Sequence, residues 1–130
     1  MKKETFQILV DNHIAIVCLL EEKERLKSLV MFRDELNEKS PDDALLSEVD
    51  NDIRCLQEKV HKSEAHIESL KPDVDVSITA IDDAISRVAA SLHYRKGLSW
   101  DEVSHVMGYK TYSPEAIRSR VYRYMRKTNI

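Results

Sequence analysis

The sequence holds only two Gly and three Pro in 130 residues. So few chain breakers exclude a fold of many short strands and tight turns. They also leave no Gly-rich loop able to cradle a phosphate, and no GxxxxGK(S/T), GxGxxG or GxSxG motif occurs. Aromatic residues are scarce at 6% while charged ones reach 33%, a composition suited to long helices with polar flanks and a narrow apolar seam. The two cysteines, Cys18 and Cys55, form no CxxC pair and no Cys/His cluster. A disulfide scaffold and a zinc site are therefore not expected, and both thiols read as small, reduced core residues of a cytoplasmic protein. No uninterrupted apolar run is long enough to cross a bilayer. The opening "MKKETFQILVDNHIAIVCLL" superficially resembles an export signal, but Glu4, Gln7, Asp11, Asn12 and His13 interrupt it and no small-residue cleavage site follows. It reads as a helix.

Catalytic chemistry has equally little support. His61 and His66 are five apart, a poor spacing for a shared metal. The adjacent pairs Asp42-Asp43 and Asp82-Asp83 point away from each other on a helix rather than converging as an acid/base pair. No enzyme activity, catalytic residue, metal or cofactor is expected.

What is present is helical periodicity. From Lys3 to Glu38 no Pro or Gly occurs, and Phe6, Leu9, Val10, Ile14, Val17, Leu20 and later apolar residues recur at helical spacing. "SPDD" at 40–43 predicts a new helix, with Ser40 as cap, Pro41 at the first position and two Asp at the positive end of the dipole. Leu46, Val49, Ile53, Leu56, Val60, Ser63, Ile67 and Leu70 then keep heptad spacing with one polar member. Lys71-Pro72 is expected to stop that helix. Residues 1–72 thus read as an antiparallel hairpin or coiled coil that oligomerises, with a dimer favoured because a lone hairpin buries little. The wide apolar face at its start needs cover from the C-terminal region or from a second chain.

Residues 73–130 read as a separate domain of three helices. The first is expected from about Asp73 or Val76 to Tyr94, with Ile78, Ile81, Ala84, Ile85, Val88, Ala89 and Leu92 inward and Gly97 as its left-handed end. "SWDE" is a capping box for the second, which shows Val103, Val106 and Met107 on one side and stops at Gly108. "SPEA" starts the third, with Ile117, Val121, Tyr124 and Met125 inward. Charge follows this division. Residues 1–72 carry 11 Lys and Arg against 16 Asp and Glu, residues 73–92 one against four, and residues 93–130 eight against three. An acidic body therefore precedes a basic end.

A short helix, a turn opening at Gly and a basic helix together have the form of a helix-turn-helix, whose second helix must enter a groove walled by phosphates. Arg118, Arg120, Tyr122, Arg123, Arg126 and Lys127 are placed on the outer face of that helix. Ser113 stands at its N-terminus, where backbone N–H groups favour a phosphate oxygen. The plainer alternative is a solvated bundle helix, or one docked on the acidic part of its own chain. Trp100 is expected in the core where the first and second of these helices meet.

The segment "AISRVAASLHYRKGLSWDEVSHVMGY" resembles the promoter-reading C-terminal domain of sigma factors and, more closely, small sigma-like phage regulators of the ArpU type. Arg87, Leu92, Tyr94, Gly97, Leu98, Ser99, Trp100, Glu102, Val103, Met107, Gly108 and Tyr109 fill the pattern of those proteins. "KTYSP" makes the turn longer than theirs, which would either retilt the third helix or turn Lys110, Thr111 and Tyr112 into a wing touching the DNA backbone. The resemblance implies that Ser113, Glu115, Ala116, Arg118, Ser119 and Arg123 face DNA. It further implies a DNA-binding transcriptional regulator of phage or prophage type, acting on double-stranded DNA as a homo-oligomer. The alternatives are a phage DNA-packaging small subunit that forms rings, and a sigma-like module that docks on RNA polymerase.

Overall fold

A computed structural model describes residues 1–39 and 42–130, and among these every regular element is helical. The helices are α1 (Lys3–Glu38), α2 (Asp43–Thr79), α3 (Ala84–Ala90), α4 (Trp100–Met107) and α5 (Pro114–Lys127), with a π-helical turn over Ser91–Arg95 continuing α3. None is long and apolar enough to cross a membrane. The expected cap at Ser40 and the first-position Pro41 lie outside the described residues. Asp42 caps α2 directly, its carboxylate accepting the Ala44 N–H at 2.9 Å.

The chain divides into two compact units, one of Met1–Val17 with Ile67–Ile130 and one of Cys18–His66. In the second unit α1 and α2 pair in antiparallel fashion. Arg33 Nε meets Asp50 at 2.7 Å, and the Ser63 hydroxyl donates to Glu22 at 3.1 Å. The heptad positions are the residues this packing withdraws from water. Val49 and Val60 are buried, and Leu46, Ile53, Leu56 and Ser63 are half-buried. Cys18 and Cys55, expected in the core, are free and exposed instead. Neither belongs to the heptad, and the seam faces the other way.

The first unit contains the core. Leu9 from α1 packs with Val74 and Ile78 from α2, and with Ile81, Ala89, Tyr94, Val103, Ile117, Val121 and Met125. The C-terminal helices thus cover part of the wide apolar face of α1. This packing also overrides the expected stop at Pro72, which lies inside α2. An interior Pro costs a helix about 3 kcal/mol. Beyond it, however, Val74 is 2% and Ile78 1% exposed, and each such burial is worth about 1.5–3 kcal/mol.

The single helix expected from about Asp73 to Tyr94 is therefore two. Its first part is the end of α2, and the real break comes at residues 80–83. There Asp83 takes an extended conformation and caps α3, accepting the Ser86 N–H at 3.0 Å and the Ser86 hydroxyl at 2.7 Å. The break turns Ala84 and Val88 outward and leaves Ile81 fully buried.

The remaining boundaries follow local chemistry. Ser99 and Glu102 form the capping box of α4, and Ser113 caps α5 with Pro114 behind it. Gly97 and Gly108 both have positive φ, 75° and 105°, conformations that side chains on Cβ disfavour. In α4 it is Ser104, not Val106, that joins Val103 inside. The Ser104 hydroxyl donates to the Tyr112 carbonyl and so ties the turn to the helix.

Candidate nucleic-acid interface

α5 is a 14-residue helix with one face fixed and one free. Ile117 and Val121 are 0% and Met125 2% exposed, so the rotation of the helix about its axis is set by three buried side chains a turn apart. Arg118, Ser119, Arg123, Arg126 and Lys127 consequently fall on the exposed side. None of these four cations makes an ion pair among the described residues. Tyr124, half-buried at the edge, steadies two of them. The Arg123 guanidinium lies 5.4 Å and the Lys127 ammonium 5.3 Å from the centre of its ring, within cation–π range.

Two residues expected on this face are committed elsewhere. Arg120, placed on the outer face from sequence, turns to Asp83. Its Nε and Nη2 donate to the two carboxylate oxygens at 2.9 and 3.1 Å. This fork joins α5 to the cap of α3, and with Ser86 it holds the Asp83 carboxyl far below the usual carboxylate range. Arg120 lies a little further round the helix than Arg123, where the surface meets α3. Tyr122 is only partly available. Its ring edge meets Phe6 and Trp100, each with centroids 6.1 Å away.

The turn before α5 is well defined. The N–H groups of Thr111 and Tyr112 both donate to the Gly108 carbonyl, at 3.1 and 2.9 Å. Lys110 and Thr111 are exposed, whereas Tyr112 is half-buried and packs against the core. At the start of α5 the capping hydroxyl of Ser113 accepts the Ala116 N–H at 3.2 Å. Pro114 has no N–H, so the helix start offers a phosphate less than its position alone suggests. Glu115 and Ala116 are exposed beside it.

Behind this surface is a ring cluster that sequence reading did not find. The His93 ring is sandwiched between His13 at 3.9 Å and Trp100 at 4.0 Å, both nearly parallel to it. Trp100 is thus packed on the core side, where it was expected. His93 donates Nδ1–H to the Leu98 carbonyl at 2.7 Å, and His13 donates Nδ1–H to the His93 carbonyl at 2.6 Å. Because both acceptors are carbonyls, each ring must carry its proton on Nδ1. Burial, reinforced by the neighbouring His13, pushes His93 down to about 4. Tyr94 stands edge-on to all three rings, and burial raises its hydroxyl well above the usual tyrosine range. The Asn12 amide donates to the Tyr94 carbonyl at 2.7 Å. Only the pairing of α1 with the π-helical turn brings these groups together.

The start of α1 lies beside the end of α5, since the Lys2 N–H donates to an Ile130 oxygen at 2.6 Å. Among the described residues no group of His, Cys, Asp and Glu is arranged to hold a metal. No protein-family profile, curated protein sequence or solved structure matches the chain.

Proposed function

We propose that the protein is a DNA-binding transcriptional regulator of phage or prophage type, with α4, the turn and α5 acting as a helix-turn-helix and α5 entering the major groove. The observation that carries this reading is the arc of unpaired Arg118, Arg123, Arg126 and Lys127 on a helix whose opposite face is fully buried. A groove walled by phosphates needs cations held outward from a rigid base. Arg118, nearest the start of α5, is the residue proposed to reach base edges through its planar fork. Arg123, Arg126, Lys127 and Lys110 contact phosphates, and Thr111, Ser113 and Ser119 are hydroxyl donors around them. Arg120 has no part in this set, because Asp83 occupies it.

We further propose that the protein acts as a dimer through the N-terminal helices, where Leu20, Met31 and Phe32 are 53%, 57% and 47% exposed. Exposed Val88 on α3 favours a second reading, docking on a protein such as RNA polymerase.

Selection of random duplexes with the purified protein tests the main reading, and an enriched two-fold site is expected. About four phosphate contacts per protomer, about eight for a dimer on a two-fold site, predict a log–log salt slope of about −7, on the order of a ten-thousandfold loss of affinity over a fourfold rise in salt. Arg118→Ala should relax sequence preference, and Lys110→Ala should weaken all duplexes alike. Unchanged duplex affinity in the Arg118→Ala, Arg123→Ala double variant rejects the groove assignment. A ring-sized assembly instead of a dimer moves the reading to a DNA-packaging subunit.

A further inference from the structure

We propose that the cleft between the start of α1 and the outer side of α5 binds a small amphipathic anion, a ligand with an aryl or acyl body and one carboxylate or sulfonate head. The cleft has a volume of about 370 Å³ and is lined by Met1, Lys3, Phe6, Tyr122, Met125 and Arg126, within the size range of small-molecule sites. Its composition is one-sided. Met1, Phe6, Tyr122 and Met125 present rings or thioethers, Lys3 and Arg126 are cations, and the Met1 ammonium lies 3.5 Å from the Arg126 carbonyl. No carboxylate lines it, and neither Lys3 nor Arg126 has an ion-pair partner among the described residues.

The walls are fixed from behind. Met125 is 2% exposed and belongs to the core. The Phe6 ring stands edge-on to Tyr122 at 6.1 Å, and the Lys2 N–H donates to an Ile130 oxygen at 2.6 Å. An apolar floor under two unneutralised cations selects against a neutral hydrophobe, which gains nothing from Lys3 and Arg126. It selects equally against a small hydrated anion, which has nothing to place on Phe6, Tyr122 and Met125. Arg126 also stands on the face proposed to meet DNA. Resting on that reading, an anion in the cleft withdraws Arg126 from phosphate and lowers duplex affinity, so the ligand acts as an effector.

The probe is anilinonaphthalene sulfonate, titrated by fluorescence into the full chain, with uncharged N-phenylnaphthylamine and acetate as comparators. Saturable binding is expected, displaced by octanoate and not by acetate. Lys3→Gln and Arg126→Gln should each weaken it about threefold to fivefold, the range for one exposed charge pair. Both side chains are exposed, and unchanged circular dichroism confirms that each variant folds. No saturable binding, binding by both variants as tight as by the unmodified protein, or equally tight binding of the uncharged analogue overturns the cleft. Octanoate should also release a bound duplex from the unmodified protein, and about threefold to fivefold more of it should be needed with Lys3→Gln. Probe binding by a protein that binds no duplex leaves the cleft standing and refutes the DNA reading. Duplex binding without Lys3-dependent probe binding does the reverse, and simultaneous occupancy refutes the competition.

Discussion

His93 should make the protein acid-sensitive in a window set by its own burial. The ring is 9% exposed, flanked by His13 and Trp100, and its Nδ1–H is held by the Leu98 carbonyl. The groups facing it from the packed elements are His13 on α1 and Tyr94 beside it, and neither offers a negative charge to an imidazolium at neutral pH. Its folded-state value of about 4 lies below the ordinary 6.5, so folding favours the neutral ring. The stability this contributes is complete above the unfolded value and is lost as pH falls from 6.5 toward about 4. At 1.36 kcal/mol per pKa unit the full loss is about 3 kcal/mol, of which about 2 kcal/mol is gone by about pH 5. Trp100 is the sole tryptophan and touches the titrating ring, so its fluorescence reports unfolding at the site itself. Urea unfolding should be followed by fluorescence and circular dichroism between about pH 7 and about pH 5. The unmodified protein and His93→Phe should be compared, since Phe keeps a ring in the stack and cannot titrate. Subtracting the two curves removes the contributions of the other histidines. Equal acid-induced losses in both proteins would refute the reasoning, because the buried imidazole would then not be what senses the proton.

Two further outcomes follow from the corrected helix boundaries. Asp83→Ala should destabilise the first unit by about 2 kcal/mol in urea unfolding, since it removes the cap of α3 and leaves Arg120 without its acceptor. The carboxyl is depressed by those bonds, so its contribution persists above the ordinary carboxylate value and is lost as pH falls below it. Pro72→Ala should stabilise the chain by about 1–2 kcal/mol. It restores an N–H toward the preceding turn of α2, and the lost rigidity of the unfolded chain offsets part of the gain. A calorimetric midpoint that falls in this variant would mean Pro72 is needed where it stands.

Most of the fold was legible because its signals are local. Caps, glycine turns and the heptad depend on residues within one or two turns of each other. Ser99 with Glu102, Ser113 with Pro114, and Gly97 and Gly108 at positive φ all stand where the spacing placed them. Local rules failed at Pro72, where a penalty confined to one turn competes with the burial of Val74 and Ile78 against Leu9, far away in sequence. They failed again at residues 80–83, because the cap at Asp83 sits inside an apolar period that runs on through Ile85 and Ala89 and hides the break. The same blindness hid the ring cluster, since His13 and His93 are 80 positions apart and neither has an unusual neighbour in sequence.

The candidate interface shows the limit most clearly in two arginines. Arg118 and Arg120 are two residues apart on one basic helix, and composition and charge treat them alike. What separates them is rotation. Two residues turn a helix by about 200°, enough to carry one guanidinium from open solvent to the rim of α3, where a carboxylate already caps a helix. A charge pattern can therefore count the cations of a helix but cannot divide them between structure and recognition. Asp83 takes Arg120 and leaves Arg118 exposed, and it does so from 37 residues away. A helix with all its arginines free would bind DNA electrostatically in any rotation. One arginine locked at the rim and three apolar residues locked below fix which face of α5 remains. That restriction, more than the amount of charge, fixes which side chains α5 presents outward.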